Sequence, residues 1–171
     1  MSSAPQLLLL RFVLVLGAAA AVFVVAIGPT RAAETQASAA LLRTVAHERV
    51  QVQLGTSLQV FPLSAAPFRA ELTPACSALS SIVTVVALGL LLPAPTRRRR
   101  LTSCLMAAAF IALCNLLRIA LSIGVGLLLG RTTLILFHDW IGSAFTFAYT
   151  LAGLMVLLYL RMPARAAAVE T

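Results

Sequence analysis

A chain of 171 residues, 61% of them hydrophobic with a mean hydropathy of +1.01, cannot surround itself with a water-facing surface, which excludes an ordinary soluble domain. The net charge of +8 rests on thirteen arginines against five acids, with no lysine at all. The arginines flank apolar runs as topology signals and do not interleave into a basic face, which points away from nucleic acid and toward membrane lipid.

The first run, Leu7 to Gly28, has about the ~20 residues needed to cross a ~30 Å hydrocarbon core, and Gly28-Pro29 is expected to close it, giving a transmembrane helix over 7–29. A cleaved signal peptide is the rival. It fits less well, since the stretch exceeds the usual h-region of roughly 7–15 residues and Arg11 lies inside it. Residues 30–72 are the main polar segment, expected outside the membrane. Ala32 to Arg49 has helical character, whereas Val50 to Leu54 and Leu58 to Val60 alternate with period two around Gly55-Thr56-Ser57, the pattern of a short hairpin. A segment of ~40 residues is too small for a large core, so it should pack on the membrane surface or cap the helices. Its ionisable residues His47, Glu48, Arg49, Arg69 and Glu71 read as solvated loop surface.

A second spanning helix is expected over 73–93, its apolar part Cys76 to Leu92 being closed by Pro93-Ala94-Pro95. The run Arg97 to Arg100 ends a basic loop, 94–100, and is the strongest cytoplasmic marker in the chain. Residues 101–130 are too long for one simple span and contain Arg118. The crossing should end near that residue, leaving Ile119 to Gly130 as a tilted extension, a re-entrant segment or a surface helix. The last helix, over 131–161, is apolar from His138 to Leu160, carries the interfacial aromatic Trp140, and ends at Arg161 and Arg165 ahead of a cytoplasmic tail, 162–171. The expected fold is an all-α polytopic protein of the cytoplasmic (inner) membrane, with about four transmembrane helices, both termini inside and a small extracytoplasmic segment.

Cys76, Cys104 and Cys114 are an odd set without CxxC or paired Cys/His spacing, so neither a zinc site nor a disulfide framework is expected, and no cofactor. Cys104 and Cys114, roughly 15 Å apart along one helix, read as packing residues. Depth singles out Cys76. At ~1.5 Å per helical residue, Cys76 lies roughly 32 Å above Arg97, Arg118 roughly 27 Å above Arg100 and His138 roughly 35 Å above Arg161. Three helices thus bring a thiol, a guanidinium and an imidazole to the outer interface. Each has a bland reading: an inert small hydrophobe, an outward-snorkelling arginine, and an interfacial histidine paired with Asp139. Their shared depth favours chemistry. A cation lowers a thiol pKa and exposes thiolate, His138 would protonate a leaving amine, and Arg118, oriented by Asn115 one turn earlier, would hold an oxyanion or the thiolate. The class of reaction is acyl transfer through a thioester.

Thr73-Pro74-Ala75-Cys76-Ser77-Ala78-Leu79, Asn115-Leu116-Leu117-Arg118-Ile119 and His138-Asp139-Trp140-Ile141-Gly142, in that order and each at an apolar helix boundary, resemble the exosortase/archaeosortase family of membrane transpeptidases. The likeness spans roughly residues 45 to 160. It implies a cysteine protease and transpeptidase with Cys76 as nucleophile and Arg118 and His138 as its partners, with Asn115, Ser77 and Asp139 supporting. The active site would be extracytoplasmic. Substrates would be secreted proteins ending in a short motif, a transmembrane helix and a basic tail. The family usually has glycine where this chain has Ala78, and many relatives carry further N-terminal helices. The contrasting reading is a non-catalytic membrane scaffold or assembly subunit. A small transporter would want ionisable residues near the midplane, where none is convincingly placed.

Overall fold

The computed structural model describes residues 4–46, 49–53, 55–63, 65–94 and 96–162. His47, Glu48, Leu54, Pro95, Arg165 and most of the 162–171 tail lie outside them, so expectations for those positions stop there. The described chain is mainly helical: α1 (Ala4–Ala46), β1 (Val50–Val52), β2 (Ser57–Val60), β3 (Phe68–Glu71), a 3₁₀ turn (Pro74–Cys76), α2 (Leu79–Leu91), α3 (Arg97–Leu129), α4 (Arg131–Leu136), a π-helical turn (Phe137–Ile141) and α5 (Gly142–Arg161). Three helical runs are long and apolar enough to cross a membrane, within α1, along α3 and along Arg131–Arg161. α2, with 13 residues, is about 20 Å long and shorter than a full span.

Helix α1 does not end at Gly28-Pro29. Pro29 sits inside it, and the helix runs on to Ala46. Loss of one backbone N–H is outweighed because the continuing turns find something to pack on: Thr35, Ser38, Ala39 and Leu42 form a buried stripe at helical spacing. No residue of the apolar window nearer the N-terminus is buried, a pattern compatible with a membrane-spanning helix.

Past Arg118, α3 continues as one helix to Leu129, the extension among the expected alternatives. There Ile119, Ile123 and Leu127 recur every four residues and pack against Val50, Leu58, Val60 and Phe68 of the strands, together with Ala39 and Leu42. Its upper third therefore covers a sheet, and Arg118 turns inward among polar partners rather than interrupting the helix. The expected hairpin is present between β1 and β2, and β3 extends it to an antiparallel sheet of order β1-β2-β3, with Val50 opposite Val60 and Ser57 opposite Glu71.

A second core lies between α2, α3 and α5, built from Ala78, Val85, Cys104, Ala107, Ile111, Tyr149 and Leu157. Cys104 packs in it and Cys114 against it. At its arginine-rich end Thr96 caps α3 by accepting from the Arg99 N–H (3.1 Å). The guanidiniums there satisfy the orphan carbonyls at helix C-termini: Arg99 bonds Leu160 (2.8 Å) and Met162, Arg161 bonds Leu92 (3.3 Å), and Arg11 bonds Leu90 (2.5 Å). Arg161 is itself buried, with its Nε on Ser103 Oγ at 3.0 Å. At the opposite end Gly130, at φ +84°, reverses the chain between α3 and α4, a conformation that a side chain would strain.

Candidate active site

Thr73-Pro74 leads out of β3 in an extended conformation, and a proline that needs no N–H partner opens the 3₁₀ turn that carries Cys76. Cys76 therefore lies just ahead of α2, not within it. The expected helix start at 73 is three to six residues early, because the turn and Ser77 intervene. Ser77 is buried, and its hydroxyl accepts from the Leu79 N–H (3.2 Å) at the start of α2.

The Cys76 sulfur stands 3.1 Å from Thr73 Oγ1 and 3.3 Å from His138 Nε2. His138 reaches it from the π-helical turn, whose extra residue rotates the run between α4 and α5. Burial pushes the thiol up, yet hydrogen bonds with His138 and Thr73 and the positive charge available on His138 bring it down from 9.0 to about 7. The sulfur is buried but not sealed: Cys76, His138, Thr73 and Arg118 line one cleft of about 810 Å³.

Arg118 is 4% exposed and pairs with no carboxylate among the described residues. Its Nη1 donates to the Cys76 carbonyl and to Asn115 Oδ1, both at 3.4 Å, while Nε is buried without a partner. The guanidinium lies over the backbone of Gly142, where a Cβ would stand 3.1 Å from both Nε and Nη2, closer than nearly all real contacts. Asn115, wholly buried, uses both its donors and both acceptor positions: Nδ2 to the Cys76 carbonyl (3.0 Å) and Glu34 Oε1 (3.1 Å), Oδ1 from Arg118 and from the Tyr149 hydroxyl (3.0 Å). Glu34 Oε1 also accepts from the Ala78 N–H at 2.8 Å.

Cys76, Arg118, His138 and Asn115 are thus brought together from three elements, the 3₁₀ turn, α3 and the π-helical turn. Asp139 is exposed at the cleft wall, where its carbonyl accepts from the Ser143 hydroxyl at 2.6 Å, and no hydrogen bond joins its carboxylate to His138 among the described residues. Glu71 lies at the cleft as well, 3.7 Å from Arg31. Three contributors were not singled out from the sequence: Glu34, Tyr149 and the hydroxyl of Thr73. Glu34 had a visible signal, a lone acid in an alanine-rich stretch, which reads as loop only if the helix is taken to stop at Pro29.

No known family profile, curated protein or solved structure matches the chain. No group of three or more metal-ligating side chains exists among the described residues.

Proposed function

We propose that the protein is a membrane-embedded cysteine transpeptidase of exosortase type, cleaving C-terminal sorting signals of secreted proteins at the outer face of the cytoplasmic membrane. The observation that carries this is the 3.3 Å approach of His138 Nε2 to a Cys76 sulfur with a pKa near 7, beside an arginine that has an unused buried donor. In this reading α1, α2, α3 and the run from α4 to α5 cross the membrane, with Arg97 to Arg100 and Arg161 inside and the sheet outside.

The thiolate attacks the carbonyl carbon of the scissile peptide bond. Negative charge develops on its oxygen, where the Arg118 guanidinium, dry and prepositioned, offers donors without reorganisation. His138, protonated when the thiol ionises, gives its proton to the leaving nitrogen, and the C–N bond breaks to leave a thioester on Cys76. An incoming amine or water, deprotonated by the now neutral His138, resolves that thioester and restores the thiol. Asn115 contacts no reacting atom. It positions Arg118 and the Cys76 carbonyl.

The test is a secreted reporter bearing a tail from the same proteome, with a short motif, an apolar helix and basic residues, followed with wild-type, Cys76→Ala and Arg118→Lys proteins matched for membrane insertion. Processing should vanish in Cys76→Ala and fall at least 100-fold in Arg118→Lys, which keeps charge but loses the planar fork. Normal processing by an inserted Cys76→Ala protein removes the enzyme reading and leaves the scaffold.

A further inference from the structure

The antiparallel ladder leaves one edge of the sheet free, and that edge faces the reactive sulfur. The Leu72 N–H donates to the Thr56 carbonyl at 3.0 Å, and with Glu71 opposite Ser57 the ladder bonds fall on Phe68, Ala70 and Leu72. The β1 side of β2 uses the alternate positions, Gln53 to Ser57 and Phe61 to Arg49. Arg69 and Glu71 consequently direct their N–H and C=O groups away from β2, and no described residue bonds them. Every residue from Phe68 to Leu72 borders the cleft, although neighbouring side chains of a strand point to opposite faces. Consecutive residues all border a cavity when the strand presents its backbone edge to it. The edge has a defined end, because the strand closes at Glu71 and Pro74 opens the 3₁₀ turn that carries Cys76.

We propose that β3 is the template for the substrate, which adds as a fourth strand through the backbone of Arg69 and Glu71. This rests on the transpeptidase reading and deepens it. The occupant is an extended peptide, the few residues immediately N-terminal to the cleaved bond. It runs parallel to β3, because β3 leads toward Cys76 and the acyl half of the substrate must end at the sulfur. Main-chain pairing supplies the affinity, so recognition is tolerant of side chains at positions facing solvent and intolerant of any residue lacking the required N–H.

Proline substitution isolates the edge. At position 69 or 71 it removes an outward N–H and spares every backbone bond to β2, which an edge strand tolerates; Arg69→Pro also loses the guanidinium bond to Ser57 Oγ (2.7 Å) and Glu71→Pro the ion pair with Arg31, the latter being what the alanine control subtracts. With the full-length protein in membranes and the tail reporter above, Glu71→Pro should raise KM at least tenfold while iodoacetamide alkylates Cys76 at the wild-type rate. Glu71→Ala, which loses the same carboxylate but keeps the N–H, should have a KM below a third of that of Glu71→Pro. Equal KM values for the two, or an unchanged KM in both Glu71→Pro and Arg69→Pro, overturn the proposal. A substrate-side scan needs no variant to fold: single N-methylation of the residues preceding the cleavage site, with wild-type protein, should impair processing at every second position. A flat profile overturns strand addition while leaving the transpeptidase intact. A reporter that the wild-type protein leaves as uncut as Cys76→Ala does overturns both.

Discussion

Cys76 is acidic in spite of its burial, and one imidazole is the main reason. Two of the contributions that bring the thiol down to about 7 come from His138, as hydrogen-bond partner and as charge. Alkylation needs thiolate, so its rate should climb with pH and reach half its plateau near 7. His138→Ala leaves burial opposed only by Thr73, and the midpoint should move up past the ordinary ~8.5. Below the midpoint each unit of that rise costs about tenfold in rate at fixed pH, which a pH series of iodoacetamide labelling would measure. An unchanged midpoint would separate the imidazole from the sulfur. At this scale the sequence was informative, because a thiol, a guanidinium and an imidazole at one depth can be computed from helical rise alone. It could not show that Arg118 holds the carbonyl of Cys76 rather than its sulfur, since helical rise carries no information on side-chain rotamers.

Between elements, the site is tied together by groups that do no chemistry. Glu34 on α1 accepts from the Ala78 N–H at the start of α2 and from Asn115 on α3, so one carboxylate oxygen links three helices at the nucleophile. Glu34→Ala leaves a backbone N–H and an amide N–H buried without acceptors, about 1–3 kcal/mol each. Thermal unfolding in detergent should reveal that loss, whereas Glu34→Gln, which retains an acceptor oxygen, should recover most of it. Gly142→Ala makes a different demand. Its methyl group would meet the Arg118 guanidinium at 3.1 Å, so kcat on the tail reporter should fall tenfold or more while α5 stays helical by circular dichroism. Here the sequence was only half legible. Gly28-Pro29 is a helix-ending signal that is overridden because the segment beyond it has protein to pack on, and the sequence left open whether the chain past Arg118 extends the helix, which packing on the sheet decides. The third strand, Phe68–Glu71, alternates too briefly and follows too irregular a loop to stand out from its neighbours.

For the whole molecule, the arginines serve as more than topology tags. Those at the far end from the site, Arg11, Arg99 and Arg161, close helix C-termini with their guanidiniums, so the charge that would orient the proposed membrane protein also fastens its ends. Orientation is directly measurable. In a chain with Cys104 and Cys114 replaced by alanine, a membrane-impermeant thiol reagent added outside intact cells should label Cys76. A chain retaining only Cys104 should stay unlabelled until the membrane is opened. The reverse pattern would turn the molecule upside down.

Cys76 belongs to the core beneath the sheet, whereas Ala78, two residues later, belongs to the core among α2, α3 and α5. The Cys76 sulfur sits on the seam between these two cores, and the imidazole that it meets comes from 62 residues further along the chain. A chain made only as far as α3 has the sulfur without the histidine, and a lone thiol is mostly protonated and slow at neutral pH. On the proposed function, the arrival of His138 is what arms the sulfur, and copies made only that far are safe neighbours.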